Sequence, residues 1–156
     1  MTKYNTNLAS EFYVLSMLHR LGADAALTLG NKKAVDIFVA NEDGTTITID
    51  VKGLEKKYDW PFDDVKLVDK VNHFYVLVCF EGKITDPTIA PSVWIIPARD
   101  LSQFIRKYTT RDVISRAHIL ANGQKYLNAW KLVTSNKLPI YEPVELPNND
   151  NQNCLP

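Results

Sequence analysis

The sequence has only two cysteines and three histidines among 156 residues. Cys79 stands in an apolar run and Cys154 in a polar tail, so neither a disulfide framework nor a zinc spacing is present, and both are read as free thiols. His19, His73 and His118 lie far apart and form no ligand or triad pattern. Ser10 and Ser16 have no visible base, which argues against hydrolysis of the serine or cysteine type. No stretch approaches the roughly 18 consecutive apolar residues of a membrane span. The polar start MTKYNTN has neither the basic nor the apolar region of a secretory signal. The expectation is a cytoplasmic protein without membrane association. Net charge is zero, so no global field announces a polyanion partner.

What is present is a chain of single-domain length with 46% hydrophobic residues. One domain is expected over 1–140, followed by an extended tail over 141–156 rich in proline and asparagine. Charge is uneven: residues 1–98 carry −3, residues 99–137 carry +6 and the remainder −3. The basic stretch includes Arg99, Arg106, Lys107, Arg111 and Arg116, either a solvated face or a surface for phosphates.

Leu8, Phe12, Leu15, Leu18 and Leu21 recur at spacings of three and four, which predicts an amphipathic helix from an Asn7 cap to a Gly22 stop. A short strand over 25–29 precedes two more over 35–40 and 45–52. HFYVLVCF (73–80) reads as a strand buried on both faces, and SVWIIP (92–97) as another. Helical stretches are predicted over 98–108 and 123–133. Tyr58, Trp60 and Phe62 read as a core cap more than a base-stacking platform, and Trp94 and Trp130 as core. The order of elements describes an α/β domain with a mixed central sheet of four to five strands flanked by helices.

AVDIFVANEDGTTITIDVKG (34–53) carries the chemistry. A three-residue turn Glu42-Asp43-Gly44, with Gly44 at positive φ, pairs Asn41 with Thr45 and sets Asp36 opposite Asp50. Val35, Ile37 and Val39 then oppose Val51, Ile49 and Ile47, giving one aliphatic face. A one-residue slip would scatter these side chains, so the match supports the register. The other face holds Asp36, Phe38, Thr46, Thr48, Asp50 and Lys52. Opposed carboxylates repel unless a cation joins them. Lys52 can neutralise one, and a divalent ion would serve both. Hard oxygen donors suit Mg²⁺ or Mn²⁺. Glu11 falls on the buried side of the first helix and is expected to face the pair.

The arrangement Glu11, Val35-Asp36, Asp50-Val51-Lys52 resembles the PD-(D/E)XK nuclease superfamily, with its restriction-endonuclease-like core. Val35 stands where that motif has proline, and the glutamine and tyrosine motif of the RecB-like subgroup is missing. The resemblance implies a metal-dependent nuclease acting on nucleic acid, DNA above all. Asp36, Asp50, the Val51 carbonyl and Glu11 would hold Mg²⁺ or Mn²⁺, and Lys52 would orient the nucleophile. Lys32, Lys33, Lys56 and Lys57 are the expected backbone contacts. A symmetric dimer would suit a double-strand cutter with one site per chain. The competing reading is a module of the same fold that binds nucleic acid or protein without cutting.

Overall fold

The computed structural model describes residues 2–28, 35–62 and 71–134. In chain order the elements are helix α1 (Lys3–Arg20), strands β1 (Asp24–Leu27), β2 (Ile37–Ala40), β3 (Thr46–Leu54), β4 (Trp60–Pro61), β5 (His73–Cys79) and β6 (Ser92–Pro97), a 3₁₀ turn over Ala98–Phe104, strands β7 (Ile105–Lys107) and β8 (Asp112–Ile114), helix α2 (Arg116–Asn122), and two short 3₁₀ turns. Five strands form a mixed sheet in the order β1-β2-β3-β5-β6, in which β3 and β5 run parallel and the other neighbours antiparallel. A second sheet has the order β4-β8-β7. The fold is a mixed α/β architecture with a five-stranded sheet flanked by helices.

The hairpin register is as expected: Ile37 opposes Ile49 and Val39 opposes Ile47. Gly44 has φ +81°, and the Asn41 N–H donates to the Thr45 carbonyl. The aliphatic face packs with Val14 and Leu18 of α1 and with Phe74, Val76, Val78, Val93 and Ile95. The opposite face of β5 and β6, carrying Tyr75, Leu77, Cys79, Trp94 and Ile96, lies under Trp60, Phe62, Leu101, Phe104, Ile114 and Ile119. Every residue of β5 is therefore buried, which explains its unbroken apolar run. Trp94 and Trp130 are core residues, as are Trp60 and Phe62, whereas Tyr58 is 65% exposed.

Three local expectations are corrected. Helix α1 starts earlier, capped by the Thr2 hydroxyl, which accepts from the Asn5 N–H, and it ends at Leu21. Its buried stripe is Thr6, Ser10, Val14 and Leu18, while Phe12 is 56% exposed. The stretch 98–108 divides into a 3₁₀ turn and strand β7, and 123–133 into two 3₁₀ turns, the α-helix lying between them at 116–122. The tail expected over 141–156 lies outside the described residues.

The small polar residues of the α1 stripe have a packing reason. A Cβ built on Gly53 would collide with Ser10 Oγ and stand 2.9 Å from Ser10 Cβ and 3.1 Å from the Thr6 carbonyl oxygen. The helix crosses β3 so closely there that only glycine fits. Gly53→Ala is expected to cost about 1–2 kcal/mol in urea denaturation. The loss should shrink in a Ser10→Gly background, and equal losses in both backgrounds would remove this explanation.

Candidate functional site

The paired register of β2 and β3 ends at Ile37 opposite Ile49, and the N–H of the preceding Asp36 donates to the Ile49 carbonyl at 2.8 Å. Continued without change, the ladder would pair the Val51 N–H with the Val35 carbonyl. That carbonyl instead accepts from Thr28 Oγ1 at 2.5 Å, and the Asp36 carboxylate accepts the Val51 N–H at 2.7 Å. Asp36 thus closes the ladder with its side chain from just beyond the last register pair; the expected Asp36–Asp50 pair is not formed in the register, but the two carboxylates stay close enough to act on each other. The N–H and C=O of one strand residue point to the same edge. The Val51 carbonyl therefore faces the edge of β3 that β2 has just left.

Asp50 and Lys52 share the other face of β3, with Lys52 Nζ 2.7 Å from Asp50 Oδ1. The Asp50 side chain is 10% exposed and the Lys52 side chain 26%. The face is not uniform: near the turn Phe38 is 42% exposed, so burial begins only where the charges stand. Burial is the largest influence on Asp36 and raises its carboxyl to about 6, helped by the negative charge of Asp50 and opposed by the Val51 N–H and by Lys52. Glu11, half-buried on α1, is also raised, first by burial and then by the charges of Asp36 and Asp50. The structure therefore brings Glu11, Asp36, Asp50 and Lys52 into one electrostatic neighbourhood, with three carboxylates and one ammonium group among the described residues. Among the described residues, no three His, Cys, Asp or Glu side chains form a ready cation cage.

The expected backbone contacts are placed less fully. Lys56 and Lys57 are exposed beyond the end of β3, Lys57 standing 3.7 Å from Glu81. Lys32 and Lys33 lie outside the described residues. Arg116 is not a free cation, since its Nη2 donates to both oxygens of Glu81 at 3.0 Å and its side chain is only 18% exposed. Burial works to raise the Glu81 carboxyl, but Arg116 outweighs it and holds the group below its usual value.

Two features had no local signal in the sequence. The Trp60 indole N–H donates to the Lys52 carbonyl at 3.0 Å, tying the second sheet to β3 beside the charged residues. Next to Gly53, a cleft of about 370 Å³ opens between α1 and the segment after β3, lined by Thr6, Leu54, Glu55, Lys56, Tyr58 and Pro61. Both depend on contacts between distant segments. No helix among the described residues is long and apolar enough to cross a membrane.

Comparison with protein-family models and with curated protein sequences finds no match. Among solved structures, the chain is similar to the bacterial homing endonuclease I-Ssp6803I, with a TM-score of 0.53 and 14% identity over 85% of this chain and 91% of that one. At that identity the likeness concerns the fold alone, the mixed sheet whose strand β3 carries Asp50 and Lys52.

Proposed function

We propose that the protein is a divalent-metal-dependent nuclease of the PD-(D/E)XK type that hydrolyses phosphodiester bonds of DNA. The observation that carries this reading is the closeness of the Asp36 and Asp50 carboxylates just beyond the ladder's end, with Lys52 paired to Asp50 and, among the described residues, no cation paired to Asp36. A purely structural role leaves the neighbouring carboxylates without a reason, because burying excess charge opposes folding. The likeness to a homing endonuclease, an enzyme of DNA, supports the choice of substrate.

The donor set fits Mg²⁺ or Mn²⁺ in kind, being carboxylate and carbonyl oxygen alone. Asp36, Asp50 and the Val51 carbonyl would hold the ion, with Glu11 direct or through water. A bound ion of this class lowers the pKa of a water and offsets charge on a phosphate. Lys52, a compact cation fixed by Asp50, would orient the attacking water and stabilise negative charge developing on the phosphate. Lys56 and Lys57 would hold the backbone by charge, as would Lys32 and Lys33.

Supercoiled plasmid, single-stranded DNA and structured RNA incubated with Mg²⁺ or Mn²⁺ test this reading. The expected result is nicking or linearisation of the DNA substrates that stops when EDTA is added. Cleavage of none, together with no Mn²⁺ binding by calorimetry, would sink it and leave a module that binds without cutting.

A further inference from the structure

The three aromatic residues that follow β3 have different fates. Trp60 and Phe62 enter the core, whereas the Tyr58 ring is 65% exposed and lines the cleft beside Gly53. The backbone around that ring is nonetheless fixed. The Leu54 carbonyl accepts from the Phe80 N–H at 2.9 Å, the Glu55 carbonyl from the Gly82 N–H at 2.7 Å and the Lys56 carbonyl from the Tyr58 N–H at 3.0 Å. On the other side of the ring, Asp59 Oδ1 accepts the Arg116 N–H at 2.8 Å. A large ring left in water on a pinned loop contributes little to the core, but it is a preorganised platform for a planar partner.

The cleft belongs to the same edge of β3 as the candidate site. Backbone polar groups of successive strand residues point to alternate edges. The Val51 N–H meets Asp36 on the β2 side, and the Leu54 carbonyl meets the Phe80 N–H on the β5 side. Gly53 therefore turns its N–H and C=O to the side of Val51, about 7 Å further along the strand. At about 370 Å³ the cleft has the size of a small-ligand site and is far too small for a duplex. Lys56 and Lys57 directly precede Tyr58 and are exposed, so cations flank the ring and favour an occupant that carries phosphate over an apolar side chain. Resting on the nuclease reading for its choice of polymer, we infer that this cleft takes one unpaired nucleobase of the DNA strand to be cut, stacked on Tyr58. The base belongs to the nucleotide at or beside the phosphate facing Val51. The preferred substrate is thus DNA with a base already out of the stack, which saves the cost of unpairing.

The test is fluorescence anisotropy in EDTA, so that cleavage plays no part, with three labelled DNA probes: a fully paired duplex, the same duplex with one bulged nucleotide, and that bulge made abasic. The abasic probe keeps the bend and the charge of the bulge and lacks only the base. Wild type is expected to bind the base-bearing bulge about 10-fold more tightly than the abasic one. Tyr58→Ala should bring that ratio to about one, and Tyr58→Phe, which keeps the ring, should preserve it. Melting curves of both variants should match wild type, because the ring is exposed. No preference for the base in wild type, or the same preference in wild type and Tyr58→Ala, would overturn the assignment. A bulge held through Tyr58 but never cut in Mg²⁺ or Mn²⁺ defeats the nuclease reading and leaves the cleft's role standing. Cleavage indifferent to the bulged base and to Tyr58 does the reverse.

Discussion

Asp50→Ala should lower cleavage by about a thousandfold, and Lys52→Ala by a similar factor, each on the order of 4 kcal/mol of transition-state stabilisation. The two side chains form one 2.7 Å pair, so neither acts alone. Without Asp50 the ammonium group loses the partner that fixes it. Without Lys52 the carboxylate keeps its charge but the water loses its guide. The double variant should therefore be little worse than the poorer single variant, as expected for residues that act as a unit. Lys52→Arg keeps the charge but exchanges a compact ammonium for a planar fork, and should recover little. Initial rates under excess enzyme, with folding checked by circular dichroism, measure all four. More than a tenth of wild-type activity in Asp50→Ala would remove it from the reacting centre.

The second large effect concerns stability and opposes the first in sign: Asp36→Asn should make the protein more stable at pH 8. The Asp36 carboxyl is raised from 3.8 to about 6, with burial as the first cause. A carboxyl raised on folding stabilises the folded state fully below its ordinary value, and that contribution is lost as pH rises through the folded value. Ionised Asp36 then opposes folding by up to about 3 kcal/mol, and by about 2 once its remaining contact with water is counted. Asparagine keeps an oxygen to accept the Val51 N–H and carries no charge. The variant should melt about 5 °C higher than wild type at pH 8, with the difference vanishing by about pH 4. Mn²⁺ at pH 8 should raise the melting temperature of wild type and leave the variant unmoved, closing the gap. A difference independent of pH would show that Asp36 acts by packing and not by charge.

What could be read from the chain alone was governed by how local the determining contacts are. The hairpin was legible because a period of two and a turn glycine fix its register within twenty residues, which brings Asp36 close to Asp50, although Asp36 lies just beyond the last register pair. Helix α1 was legible as a helix but not in its orientation. Its buried stripe begins with Thr6 and Ser10, whose polarity hides the fact that smallness against Gly53 decides that face. The stretch 98–108 misled because Leu101 and Phe104, three apart, fit a 3₁₀ turn as well as an α-helix. The second sheet was invisible because Trp60 finds Ile114 only across more than fifty residues. The same distance hid the bond from Trp60 to the Lys52 carbonyl, which ties the second sheet to β3.

The parallel pairing of β3 with β5 bears on how the molecule comes into being. Antiparallel neighbours such as β2–β3 close through a short turn, and β5–β6 through a connection of a dozen residues, so both can form early in the life of the chain. The seven-residue parallel ladder from Thr48↔His73 to Leu54↔Cys79 must wait for a longer loop to close. Asp36 and Asp50 thus meet in an early hairpin still bathed in water, where their repulsion is weak. Their burial comes when β5 docks, so the cost of gathering the charges falls on the last step of folding. Refolding should accordingly be faster at pH 5 than at pH 8, with the acceleration absent in Asp36→Asn.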